Sequence, residues 1–100
     1  MAITHLGISI ANPGNIKKST DLNFLIDSGA DYSVVPSETL KKLSIKPLEE
    51  REFTLADGNK IKRELGGALY QYQNHKGHAP VIFGKRGDST LLGATALEAM

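Results

Sequence analysis

Leu6, Ile8 and Ile10 alternate with Gly7 and Ser9 near the start of the chain, and a period of two predicts a half-buried strand. Asn12-Pro13-Gly14-Asn15 reads as a turn, because proline presets its own φ and glycine tolerates positive φ. The stretch from Leu22 to Ile26 is almost continuously apolar, which predicts a strand buried on both faces. The spacing then changes. Leu40 and Leu43 can share one helical face, so Ser37 to Leu43 reads as a short helix, with Pro36 and Ser37 suited to its start. Pro47 discourages helix at Lys46. Phe53, Leu55, Ile61 and Leu65 flank Asp57-Gly58-Asn59, and an Asp-Gly step between alternating apolar residues predicts a hairpin. Gly66-Gly67 breaks that pattern. A strand from Ala68 to Gln73 is expected next, with Tyr70 and Tyr72 on one face, followed by a turn over Asn74 to His78. Val81 to Phe83 reads as another strand, ended by Gly84 and the polar tip Lys85-Arg86-Gly87-Asp88. Leu91-Leu92-Gly93 then precedes a stretch from Ala94 to Met100 whose composition favours helix. Many short strands, glycine-rich turns and two short helices predict a small all-β barrel or sandwich.

Composition narrows this without changing it. The chain has 100 residues, which predicts one domain over residues 1–100. A domain of this size buries roughly 60–70% of its unfolded surface, enough for a modest core. Hydrophobic residues make up 40% and charged residues 23%, a globular rather than a disordered balance. The net charge of +1 gives no electrostatic reason to expect nucleic-acid binding, which needs a concentrated basic face. The absence of cysteine removes disulfides, thiolate zinc sites and cysteine nucleophiles, and it fits a reducing compartment, so a cytoplasmic location is expected. No apolar run approaches the ~20 residues of a membrane span. The segment Met1 to Leu6 lacks the charged-then-apolar pattern of a signal peptide.

The chemistry concentrates in Asp27-Ser28-Gly29-Ala30, set directly behind Phe24-Leu25-Ile26. Alone, Asp-Ser-Gly is a common turn composition and is mostly structural. The longer string Phe24-Leu25-Ile26-Asp27-Ser28-Gly29-Ala30-Asp31-Tyr32-Ser33-Val34-Val35-Pro36 closely resembles the active-site segment of retropepsins, the aspartic proteases of retroviruses and LTR retrotransposons and their cellular relatives. Two further features fall in the order that this resemblance implies. The hairpin centred on Gly58 stands where retropepsins carry the flap that closes over the substrate. Leu91-Leu92-Gly93 followed by a helix resembles the segment that packs there beside the catalytic loop.

The resemblance implies a small retropepsin-like acid-protease barrel with a flap hairpin and one or two short helices. It implies an aspartic endopeptidase in which two carboxylates share one proton around a water. Like charges held close cannot both ionise easily, so one carboxylate serves as base and the other as acid. The chain holds one such segment, so the second aspartate must come from another copy, and a homodimer is expected. Asp27 is then the catalytic acid and base. Ser28 offers a hydroxyl across the two-fold axis, and Gly29 lets the backbone approach closely and its amide donate to the carboxylate. Ala30 is small enough for a crowded turn beside the substrate, and Asp31 is the candidate contact to the substrate backbone. Asp57, Gly58 and Asn59 at the hairpin tip would close over an extended peptide. No metal or organic cofactor is implied, and the expected partners are a peptide or protein substrate and a second copy, with no nucleic acid and no membrane.

The chain also departs from the pattern. Ser28 replaces the commoner threonine. The tip Asp57-Gly58-Asn59 is polar where retroviral flaps are glycine-rich. Ala94 stands where retroviral enzymes carry an arginine that ties the dimer together. Those enzymes continue into a C-terminal strand, whereas this chain stops at Met100, so a C-terminally truncated domain or a differently built dimer is expected. These departures keep open an alternative: a catalytically inactive peptide-binding or interaction module on the same fold. His75 and His78, three residues apart, have no third ligand nearby and a lysine between them, and read as solvated turn residues. Lys17-Lys18 and Lys41-Lys42 read as solvated faces, and Glu49-Glu50-Arg51-Glu52 reads as a lead into the hairpin that needs no partner. Gly66-Gly67 lacks the following Lys-Ser or Lys-Thr of a phosphate loop.

Overall fold

The computed structural model describes residues 4–54 and 57–100. Among the described residues, seven strands and two short helices follow in the order β1 (His5–Asn12), β2 (Asn15–Ile26), β3 (Ser33–Pro36), α1 (Ser37–Lys42), β4 (Glu49–Thr54), β5 (Lys60–Tyr72), β6 (His75–Gly84), β7 (Leu91–Leu92) and α2 (Ala94–Ala99). The strands form one sheet ordered β1-β2-β7-β3-β6-β5-β4, and β1 also pairs with β5. That extra pairing curls six strands into a barrel and leaves β4 outside it. The closed arrangement satisfies backbone groups that an open edge would leave exposed.

The core follows from the alternation along β1 and its partners. Ile8 and Ile10 point inward with Phe24, Ala68, Tyr70, Val81 and Leu92, all buried. The Phe24 and Tyr70 rings meet at 6.4 Å in a tilted pair, a favoured aromatic geometry. Leu40 of α1 and Ala96 of α2 are buried in the same core. The turn between β1 and β2 is the Pro13-Gly14 step, where the Asn12 side chain accepts from the Gly14 amide at 2.8 Å and donates to the Leu43 carbonyl at 2.9 Å.

Four features differ from the sequence pattern, each for a tertiary reason. β2 begins at Asn15, well before the apolar run, because its polar half pairs with β1 through Ala11↔Ser19 and Ile10↔Thr20. Within it Phe24 is buried while Leu22, Leu25 and Ile26 are half-buried. β5 runs unbroken through Gly66-Gly67, paired with Val81 and Pro80 of β6. A Cβ at Gly66 would lie 3.0 Å from the Phe83 ring and 3.1 Å from the Lys46 carbonyl oxygen, so glycine there admits a close neighbour rather than ending the strand. β6 begins at His75, which shortens the turn to Gln73-Asn74, with Gln73 at φ +54°. His75 and His78 are exposed strand residues rather than turn residues. Finally, Ser33 to Pro36 is a strand, paired in parallel with Val81 to Gly84. Leu55 of the expected hairpin lies outside the described residues. No helix among the described residues is long and apolar enough to cross a membrane.

Candidate active site

β7 is only two residues long, yet it organises the Asp27 turn. It pairs in parallel with β2 through Leu25↔Leu91 and Ile26↔Leu92, and antiparallel with β3 through Val34↔Leu91. The Leu25 amide donates to the Thr90 carbonyl at 3.0 Å, and the Asp27 amide donates to the Leu92 carbonyl at 3.0 Å. Beyond Asp27 the chain turns, with the Ala30 amide donating to the Asp27 carbonyl at 3.1 Å. The start of α2 then grips the far side of the turn. The Ala94 amide donates to the Ala30 carbonyl at 2.7 Å, and the Thr95 amide and hydroxyl donate to the Asp31 carbonyl at 3.1 and 2.8 Å.

Beneath the turn lies a buried polar chain. Ser33 is fully buried, and its Oγ accepts from the Gly93 amide at 3.0 Å. The Tyr70 hydroxyl donates to the Pro80 carbonyl at 3.0 Å. Burial raises the Tyr70 phenol pKa well above its ordinary value, against a smaller opposing effect of a hydrogen bond from Ser33. These contacts join β3, β5, β6 and the start of α2, and no buried side-chain polar atom is left without a partner among the described residues. Such networks rigidify a site when fully satisfied.

Asp27, Ser28 and Gly29 are all exposed at the surface of the single chain. The Asp27 Oδ1 atom accepts from the Gly29 amide at 3.0 Å. A Cβ at Gly29 would lie 3.2 Å from that same oxygen, so glycine allows the amide to approach the carboxylate closely.

Beside the turn is a cavity of about 430 Å³. Gly29, Ala30, Asp31 and Tyr32 form one side, and Phe53, Thr54 and Ile61 of the β4–β5 hairpin form another. Val34, Ile82 and Leu91 supply apolar wall, and Arg63 and Asp88 supply a charged pair. Two contacts fasten the hairpin over this floor. The Tyr32 ring meets Phe53 edge-on at 6.0 Å, while Arg51 lies 5.8 Å over the Tyr32 ring and donates to its hydroxyl at 3.0 Å. Arg51 also pairs with Glu49, which raises the guanidinium pKa. On the other strand, Arg63 grips Asp88 through Nε at 2.8 Å and a terminal nitrogen at 3.2 Å. The Arg63 bonds hold the Asp88 carboxyl below the usual carboxylate range, partly opposed by burial and aided by the Lys85 amide.

The structure thus gathers Asp27, Ser28, Gly29, Ala30 and Asp31 in one turn beside the cavity. Asp57, Gly58 and Asn59 occupy the hairpin tip and do not line it. There Asp57 accepts from the Asn59 amide at 2.9 Å and from its side chain at 3.0 Å, and Gly58 takes φ +88°. The tip is therefore an aspartate-closed turn around a left-handed glycine. The sequence reading missed Tyr32, Phe53, Arg63 and Asp88 as cavity residues. Their contacts span 19 to 25 positions, and no local pattern encodes them.

Comparison with known proteins agrees with this geometry. The family model described as "gag-polyprotein putative aspartyl protease" matches residues 13–99. The solution structure of the simian foamy virus (mac) protease is similar with a TM-score of 0.64 at 22% identity, over 95% of this chain and 92% of that one. The EIAV protease complexed with the inhibitor HBY-793 is similar with a TM-score of 0.65 at 19% identity, over 97% of this chain and 86% of that one. No curated protein sequence matches. The two viral structures establish the retroviral-protease fold, and the family match covers nearly the whole chain: it belongs to the gag-polyprotein aspartyl protease family.

Proposed function

We propose that two copies of this chain form an aspartic endopeptidase, with Asp27 from each copy making up the catalytic dyad. The observation that carries this reading is the exposed Asp27-Ser28-Gly29 turn, pinned by β7 and opening beside a cavity of about 430 Å³ under a hairpin. A carboxylate displayed at the surface of one chain, beside a substrate-sized cleft, suits a site completed by a partner.

In this reading, a water sits between the two Asp27 carboxylates, which share one proton as a coupled pair. The ionised member takes a proton from water as its oxygen attacks the amide carbon of the substrate. The protonated member gives its proton to the carbonyl oxygen, forming a tetrahedral diol. Collapse of the diol breaks the C–N bond, and a proton passes to the departing amine. The Gly29 amide, already 3.0 Å from Asp27 Oδ1, holds the carboxylate in place. Ser28 bonds across the two-fold axis. Asp31, beside the cavity, receives the substrate backbone, and Asp57, Gly58 and Asn59 close over it as the flap tip. The substrate is an extended peptide, and no step requires a metal or cofactor. The whole chain acts as one domain of this enzyme in the cytoplasm.

Incubating a diverse peptide mixture with the wild type and with Asp27→Asn, from acid to neutral pH, tests this by mass spectrometry. Cleavages made only by the wild type are expected. Equal cleavage by Asp27→Asn overturns the proposal. So does a wild type that sediments as a dimer and binds peptides without cutting any; that result identifies a binding module.

A further inference from the structure

Strands β4 and β5 pair so that Arg51 stands directly opposite Arg63. Like charges in that position repel, and each guanidinium is compensated separately. Arg51 takes Glu49 and the Tyr32 hydroxyl, whereas Arg63 reaches across the cavity wall to Asp88 in the segment that feeds β7. The Arg63–Asp88 contact is a two-point fork, and the side chains are only 14% and 26% exposed, so it is better shielded than the other ion pairs among the described residues. A forked arginine fixes orientation as well as distance.

Asp88 has a second task. Its Oδ2 also accepts from the Lys85 amide at 2.8 Å, and its own amide donates to the Lys85 carbonyl at 2.9 Å. Gly87 at φ +93° completes this turn. Two residues further on, the Thr90 carbonyl receives the Leu25 amide, and the Leu92 carbonyl receives the Asp27 amide. A short path of bonds therefore runs from the hairpin, through Arg63 and Asp88, to the backbone that carries Asp27.

We propose that Arg63 and Asp88 are positioning residues, forming a clasp that keeps the β4–β5 hairpin and the Asp27 backbone in fixed register across the cleft. This rests on the proteolytic reading of the site. Breaking the clasp loosens both the hairpin that covers the substrate and the β7 strand from which Asp27 hangs. A purely local surface ion pair would affect only its own strand.

Hydrogen exchange on the full chain carrying Asp27→Asn tests the coupling without requiring activity. Arg63→Met and Asp88→Asn are each expected to speed exchange of the Ile61 and Arg63 amides, and also of the Leu25 and Asp27 amides, at least tenfold. Asparagine at position 88 can still accept from Lys85, so its turn should persist. The double variant should be no worse than the more affected single, since the two side chains act through each other. Unchanged exchange at Leu25 and Asp27, or effects that simply add, overturns the clasp. If Arg63→Met does not fold, Arg63→Lys keeps the charge, loses the fork, and should show the same pattern in smaller degree. In chains with Asp27 intact, a fluorogenic peptide built on the preferred wild-type cleavage site should show KM raised at least fivefold in each single variant. Absence of any wild-type cleavage counts against the protease reading alone, because the exchange measurements still decide the clasp.

Discussion

Gly93 lies so close to Tyr32 that a Cβ on it would stand 2.6 Å from both the carbonyl carbon and the carbonyl oxygen of that residue, and 2.9 Å from the Ala30 oxygen. Real side chains do not make such contacts with backbone, and backbone cannot swing aside like the end of a lysine. Gly93→Ala must therefore displace either the Asp27 turn or the start of α2. Overpacking of this kind costs about 1–3 kcal/mol, and the rigid neighbours place this case toward the upper end. We expect a Tm lower by roughly 4–8 °C for each kcal/mol in a domain of this size, together with loss of peptide cleavage. A Gly93→Ala chain that melts with the wild type would show that the turn yields more readily than its contacts suggest.

Tyr32 offers a test of how β4 is held. Its ring packs edge-on against Phe53 at 6.0 Å, and its hydroxyl accepts from the exposed Arg51. Aromatic pairs add ~0.5–1.5 kcal/mol beyond the area they bury, whereas a bond to an exposed side chain competes with water. Tyr32→Phe should therefore leave the urea midpoint close to wild type, and Tyr32→Leu should lower it measurably. The reverse order would make the Arg51 bond, and not the ring contact, the hold on this strand.

These contacts mark where the sequence stops being legible. Phe24 to Ala30 and the Asp57-Gly58 turn could be read locally, because each is specified by neighbours along the chain: an apolar run before the acid, and a positive-φ glycine at the tip. The two helices were legible for the same reason. The polar half of β2 was not, since Lys17 to Asp21 form strand only because β1 lies alongside. Nor was the continuity of β5 through Gly66, where glycine makes room for Phe83. Arg63 and Asp88 are 25 positions apart; Asp88 read only as part of a polar tip, Arg63 carried no local signal, and only the folded hairpin makes them a pair.

Tyr70 predicts an alkaline limit to stability. It is fully buried, its hydroxyl donates to Pro80, and burial raises its pKa above the ordinary phenol value. In the unfolded chain the phenol ionises near pH ~10, while in the fold it stays protonated. The folded state then binds more protons in this range, so stability is fully present below about pH 10 and falls as pH rises toward the folded-state pKa. Tyr70→Phe should lose about 1 kcal/mol at neutral pH with the Pro80 bond, and should flatten that alkaline decline. Urea titrations between pH 8 and 11 would reveal it; an unchanged slope in Tyr70→Phe assigns the decline to other groups.

Asp88 predicts an acid limit with the opposite sign. Hydrogen bonds from Arg63 hold its carboxyl pKa below the usual value, helped by the Lys85 amide and by the charges of Arg63 and Lys85, and opposed by burial. A depressed carboxylate contributes stability that is present above the unfolded value of ~3.9, and that is lost as pH falls through the folded-state pKa. The difference between wild type and Asp88→Asn should therefore be largest near neutrality and should close as pH drops below about 4. Salt should shrink the neutral difference only in part, because both side chains are mostly shielded from solvent and screening acts best on exposed charges. Urea midpoints from pH 2 to 7, at low and high salt, measure both effects. A difference that stays constant across that range would mean that the negative charge of Asp88 contributes nothing to stability.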